Sequence, residues 1–300
     1  MAVWAGGTVA TEAEGGKTKA VVPTPYVYRT VGKTKLRLWV FSPPAARRMR
    51  PSAKARPVIV FFFGGGFVKG RPNSEFPRCE HFARRGVVAV AADYRVQSRD
   101  GSTPPDSIAD GRAAVRYLRA HAGRLGIDPN RIAAAGSSAG AVTAACLGCI
   151  GADEADRAAG GVSSRPNAMV LFSAQYAYAP IAGKEYRRPE RLALYRKRWG
   201  SQDMPRISAY HHLDANAPPA LLLHGEADAI CPVAAARLFA EKMKRLGRPC
   251  RLVTYPGGPH GFHRRGPAAG RPSALQEADH FLVGLAYLPS LPTAATAPAR

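Results

Sequence analysis

Ser138 stands in Gly136-Ser137-Ser138-Ala139-Gly140 and is the one serine there with a glycine two residues before it and another two after. An apolar run, residues 132–135, leads into the stretch, and a segment of small residues follows it. The pattern reads as a strand turning sharply into a helix. At such a turn the positions two before and two after come too close to other backbone for side chains. The turn residue's Oγ projects above the sheet, and the helix N-terminus beneath it favours developing negative charge. A serine hydroxyl is a weak nucleophile; it needs a base, and the base needs an orienting acid. Without those partners the stretch would be only a glycine-rich strand–helix turn.

With this kind of turn the chain order is serine, then Asp or Glu, then His. Downstream, "ALLLHGEADAICP" carries Asp228 and "VTYPGGPHGF" carries His260. Both follow predicted strands, where an open parallel sheet gathers its ligand sites. Glu226 is the alternative acid, and His224 and His263 are alternative bases. Glu226 lies closer to the strand end and reads as a brace for the loop. His224 reads as a structural histidine closing a strand, and His263 as solvated among basic residues. His211 and His212 are adjacent, so they point apart in any regular element. No ligand cluster surrounds them, and no metal or cofactor is expected.

A third stretch, "VIVFFFGGGFVKG", drives six apolar residues into Gly64, Gly65 and Gly66. Glycine in regular structure costs about 0.5–1 kcal/mol against alanine, so close approach to this backbone must be needed. Acyl transfer builds negative charge on a carbonyl oxygen, and losing one backbone donor to it costs roughly 2.7–4 kcal/mol. The expected donors are the N–H groups of Gly65, Gly66 and Ala139. Phe67, Tyr94 and Tyr176, with residues 178–213, are expected to shape the substrate pocket.

These groups need a scaffold. Strands are expected at residues 26–30, 37–41, 57–63, 87–92, 131–135, 169–173, 219–224 and 251–255. Helices are expected at 107–122, after Ser138, at 233–246 and at 273–287. Continuous apolar strands alternating with helices predict a mostly parallel sheet covered on both faces. Residues 1–25 read as a loose arm, 26–290 as one domain and 291–300 as a disordered tail. The basic, aromatic stretch 178–213 breaks the alternation and reads as a lid-like insertion.

FGGGF at 63–67, DYR at 93–95, DPNR at 128–131, GSSAG at 136–140, HGEAD at 224–228 and PHGF at 259–262 occur together in this order. In these motifs the chain resembles the α/β-hydrolases, in the hormone-sensitive-lipase-like and acetyl-esterase branch. The resemblance implies Ser138 as nucleophile, His260 as general base and then acid, Asp228 as its orienter, and Gly65, Gly66 and Ala139 as the oxyanion hole. It departs from the family at Phe63, where a histidine usually precedes the three glycines. Residues 1–25 are short and rich in glycine and valine and are not expected to form the N-terminal helical cap of larger members. This fits a fairly open site for short-chain, acetyl-type esters, acetylated carbohydrates among them. A prolyl-oligopeptidase-like serine peptidase shares HG-x-x-D and the late histidine, but such enzymes carry a large propeller. An inactive hydrolase-fold binding protein is the reading from another class.

Composition bounds the rest. The 300 residues carry a formal charge of +22. The basic residues are scattered rather than blocked, so nucleic-acid binding is not expected. Five cysteines do not make a disulfide framework, and Cys146 and Cys149 read as core thiols in a helix. No apolar run is long enough to span a membrane. The first residues lack a signal-peptide pattern, so a cytoplasmic location is the default expectation.

Overall fold

The computed structural model describes residues 21–44, 55–151, 158, 160–186, 189–200, 202–264 and 272–290. Of the loose arm expected at 1–25, residues 1–20 lie outside these, whereas Val21 is buried and a strand already begins at Thr24; the tail (291–300) also lies outside.

Among the described residues, eight strands make one sheet in the order β1-β2-β4-β3-β5-β6-β7-β8. They are β1 (Thr24–Val31), β2 (Thr34–Phe41), β3 (Arg56–Phe62), β4 (Val88–Ala92), β5 (Ile127–Ser137), β6 (Ala168–Phe172), β7 (Ala220–Gly225) and β8 (Cys250–Tyr255). The hairpin β1–β2 is antiparallel and joins β4 antiparallel; from β4 onward every pairing is parallel. The central strands read PVIVFF, VAVAA and AMVLF and are buried throughout. That composition follows from helices covering both faces, so neither alternate set of side chains meets water.

Residues of β3 divide between two cores. Val58, Val60 and Phe62 face one that includes Val115, Leu118 and Phe239; Ile59 and Phe61 face another with Phe82 and Leu282. Helices α2 (Pro104–Ala120), α3 (Ala139–Cys149) and α5 (Val233–Arg245) supply the first. Helices α1 (Phe76–Arg84) and α6 (Ala274–Gly284) supply the second. Between them in sequence, α4 (Pro189–Trp199) lies within the 178–213 stretch.

Helix α2 begins three residues before the expected start. Pro104 fits the first helical turn, where its missing N–H is no loss, and the Thr103 N–H donates to Asp106 Oδ2 at 2.9 Å. Helix α3 is buried along its whole length. Its small residues permit close packing: a Cβ on Gly148 would sit 2.3 Å from Met169 Sδ. Asp128, Pro129 and Asn130 are residue types of a turn and precede the strand expected from 131, but they lie within β5. The turn survives as an irregularity, with a register shift against β3 between Arg56 and Val58 and the Asn130 N–H on Asp128 Oδ1 at 2.9 Å. Cys146 and Cys149 are buried free thiols of α3. Among the described residues, no helix is long and apolar enough to cross a membrane.

Candidate active site

Four loops meet at one rim of the sheet, after the C-terminal ends of β3, β5, β7 and β8. Ser138 sits at the turn from β5 into α3 with φ +54° and ψ −120°. This is a sparsely populated conformation for a side-chain-bearing residue, costing about 1–3 kcal/mol. The surroundings impose it: the Ser138 N–H donates to the Phe172 carbonyl at 2.9 Å, and its own carbonyl accepts from the Val142 N–H at 3.0 Å. A Cβ on Gly140 would lie 1.9 Å from the Phe62 carbonyl oxygen, and one on Gly136 would lie 2.4 Å from the Gly140 carbonyl carbon. Both glycines are therefore required by contact.

His260 Nδ1 lies 2.8 Å from Asp228 Oδ2, and His260 Nε2 lies 3.0 Å from Ser138 Oγ. An ionised carboxylate can only accept, so Nδ1 carries the proton, which leaves Nε2 as the acceptor for the serine hydroxyl. Asp228 is buried, and its Oδ1 accepts the N–H groups of Ile230 at 2.9 Å and Cys231 at 2.8 Å. Burial alone would raise its pKa. The hydrogen bonds from His260 and the Cys231 N–H, with the charges of His260 and His224, outweigh burial and hold it below the ordinary carboxylate range.

The rejected alternatives have other partners. Glu226 accepts from the Thr254 hydroxyl at 2.7 Å and so ties the loop after β7 to β8. His224 is fully buried, its Nε2–H donates to the Cys231 carbonyl at 2.6 Å, and burial pushes its pKa down. His211 bonds Ser208 Oγ and the Pro180 carbonyl, and His212 bonds the Pro205 carbonyl. His263 is not solvated as expected. It is half-buried against Phe172, neither ring nitrogen has a partner among the described residues, and its pKa is pushed down to about 2, chiefly by burial and then by Arg78 and Arg264.

In the glycine loop, Gly65 has φ +138° and Gly66 φ +64°. A Cβ on Gly65 would come 1.8 Å from the Lys69 carbonyl oxygen. The loop is pinned from outside: the Gln97 N–H donates to Phe67 O at 3.0 Å and the Ser98 N–H to Val68 O at 2.9 Å. Phe63 is fully buried and stacks on Tyr94, with ring centroids 3.9 Å apart and 10° between planes. The Tyr94 hydroxyl also donates to the Phe63 carbonyl. Packing and a phenol thus hold the loop.

Two cavities meet at Ser138. The smaller, of about 60 Å³, is apolar and bounded by Phe67, Val142, Tyr178, Tyr195, Trp199 and Ile207. The larger, of about 740 Å³, runs along Gly64 to Gly66 and past His260 to Lys69, Arg71 and Arg264. Of the three expected pocket residues, Phe67 lines the smaller cavity. Tyr94 and Tyr176 line neither: both have no exposed surface, Tyr94 supporting Phe63 and Tyr176 packing against Phe239 at 4.6 Å between ring centroids. The walls contributed by Tyr195, Trp199 and Ile207 come from the 178–213 stretch.

The family model BD-FAE matches residues 48–243. The chain is similar to the esterase LipC of Mycobacterium tuberculosis, at 31% identity across 74% of this chain and 58% of LipC. It spans about half the length of the curated relatives it matches. Among solved structures, it is similar to a butyrate-bound thermophilic esterase, Est2, of Thermogutta terrifontis, at 39% identity and a TM-score of 0.80 over 90% of this chain and 96% of that one. Thermogutta terrifontis esterase 2 phosphorylated by paraoxon is likewise similar, at 37% identity and a TM-score of 0.76 over 91% of this chain and 98% of that one. With a sheet of the same kind and a match over most of its length, the chain belongs to the BD-FAE family, within the hormone-sensitive-lipase-like α/β-hydrolases.

Proposed function

We propose that the chain is a serine carboxylic-ester hydrolase for short acyl groups, acting through an acyl-enzyme. One observation carries this reading: the hydrogen-bonded series Ser138–His260–Asp228, seated on a strained strand–helix turn. His260 Nε2 takes the Ser138 proton as Oγ attacks the ester carbonyl. Asp228 keeps the imidazole in the required tautomer and stabilises the imidazolium that forms. The N–H groups of Gly65, Gly66 and Ala139 take the developing negative charge. The protonated His260 then gives its proton to the leaving alkoxide, and the alcohol departs. In the second half, His260 deprotonates a water that attacks the acyl carbonyl; the acid leaves and Ser138 regains its proton.

The acyl chain is assigned to the smaller cavity, whose ring of aromatic and aliphatic side chains suits a few methylenes and no more. The butyrate bound by the Thermogutta esterase supports a short acyl group. An acetylated carbohydrate is one ester that would meet this description.

The test is hydrolysis of p-nitrophenyl acetate, butyrate and octanoate by the intact protein and by Ser138→Ala. Expected is turnover of the two shorter esters, a fall of at least about tenfold for octanoate, and no burst or turnover in the variant. Equal rates for wild type and Ser138→Ala would sink the reading.

A further inference from the structure

The two cavities at Ser138 differ sharply in charge. Among the described residues, no charged side chain bounds the smaller one. The larger is lined by Lys69, Arg71 and Arg264, and among the described residues no Asp or Glu lines it. All three cations have exposed side chains. Among the described residues none of the three has an acidic partner, while acids on neighbouring elements are already engaged. Glu75 pairs with Arg78, and Asp93 and Asp100 pair with Arg99. The cations come from different parts of the chain. Lys69 and Arg71 follow the glycine loop after β3, and Arg264 follows His260 after β8. They converge on one cleft that already contains Ser138 and His260.

Unpaired charges of one sign in a cleft focus its potential and raise the local concentration of the opposite charge. Two of the three are guanidinium groups, which grip carboxylate or sulfate oxygens through paired donors. Arg71 also borders a neighbouring hollow of about 440 Å³ that contains Arg37 and Trp39, so a bulky alcohol has room to continue past it.

We propose that the larger cavity receives the alcohol part of the ester and selects alcohols that carry an anionic group. This rests on the ester-hydrolase reading and goes beyond it by naming the chemistry of the leaving group. An ester in this register places its acyl chain in the uncharged cavity and its charged alcohol among Lys69, Arg71 and Arg264.

The experiment compares 3-acetoxybenzoate, its uncharged methyl ester and 3-acetoxybenzenesulfonate, each kcat/KM being divided by the rate of hydroxide-catalysed hydrolysis of the same ester. Expected is a preference of about tenfold for the anions over the methyl ester at low ionic strength, shrinking several-fold in high salt. The same preference should shrink in Lys69→Gln, Arg71→Gln and Arg264→Gln, and vanish when all three are combined. A preference for the carboxylate alone assigns paired-donor recognition of that group; equal preference for carboxylate and sulfonate assigns recognition of charge. Both outcomes support the proposal. It is overturned if the methyl ester is hydrolysed as well as the anions, or if the preference survives loss of all three cations. If no ester is hydrolysed, the proposed activity falls, and equilibrium dialysis of the same compounds against Ser138→Ala decides the cleft independently. Tighter retention of 3-acetoxybenzoate than of its methyl ester upholds the anion site, and equal retention overturns it.

Discussion

In the proposed mechanism Asp228 acts at a distance from the reacting bond, through His260. Its Oδ1 is occupied by two backbone N–H groups, so Oδ2 is left to hold His260. In Asp228→Asn the amide can present a donor to Nδ1, which favours the tautomer with its proton on Nε2. That proton would face Ser138 and block the base. Steady-state kinetics on p-nitrophenyl acetate should show kcat lowered by about 10³–10⁴-fold with little change in KM. A loss of tenfold or less would mean that Asp228 only holds its loop. At this same scale lies the difference between the residues that were legible in the sequence and those that were not. Ser138, Asp228 and His260 stood out because chain order and local turn chemistry fix them. Tyr94 and Tyr176 did not, because whether an aromatic faces a pocket or a core depends on elements distant in sequence. His263 was misread for the same reason: its burial comes from packing on Phe172, a strand end almost a hundred residues earlier.

At the scale of elements, the strand–helix turn works because α3 approaches β3 without side chains between them. Gly140→Ala would put a Cβ 1.9 Å from the Phe62 carbonyl oxygen, and backbone cannot yield as a flexible side chain could. The expected result is a thermal midpoint lowered by several degrees, with Oγ displaced and esterase activity lost even in the folded fraction. An unchanged melting curve would contradict the contact. The alternation of buried strands and helices was readable from composition, since residues covered on both faces must be apolar along their length. Helix α1 was not anticipated, although Cys79, Phe82 and Ala83 give it a buried face at helical spacing. The cationic cleft was also hidden. The sequence shows a scattered surplus of basic residues, and only the convergence of the loops after β3 and β8 gathers three of them beside the serine.

For the whole molecule, His263 links stability to pH. Its pKa falls from an ordinary 6.5 to about 2 in the folded protein. Between those values the unfolded chain binds a proton that the folded protein does not. Stability therefore drops as pH falls below about 6.5, and His263 adds no such dependence above it. One proton corresponds to about 1.4 kcal/mol per pH unit. Urea unfolding at pH 7 and pH 5 should accordingly show a smaller acid loss for His263→Gln than for wild type, by up to about 2 kcal/mol. Identical losses in the two proteins would show that His263 is protonated in the folded state.

The stacking of Phe63 on Tyr94 has a consequence for what protons can reach in the site. The glycine loop is held by two rings and by a phenol whose pKa burial, above all, raises well beyond its ordinary value. Neither ring changes charge near neutrality. In the proposed reaction the glycine loop therefore keeps its shape while His260 gains and loses its proton, so the loop is a passive mechanical part and the chemistry of protons is left to His260.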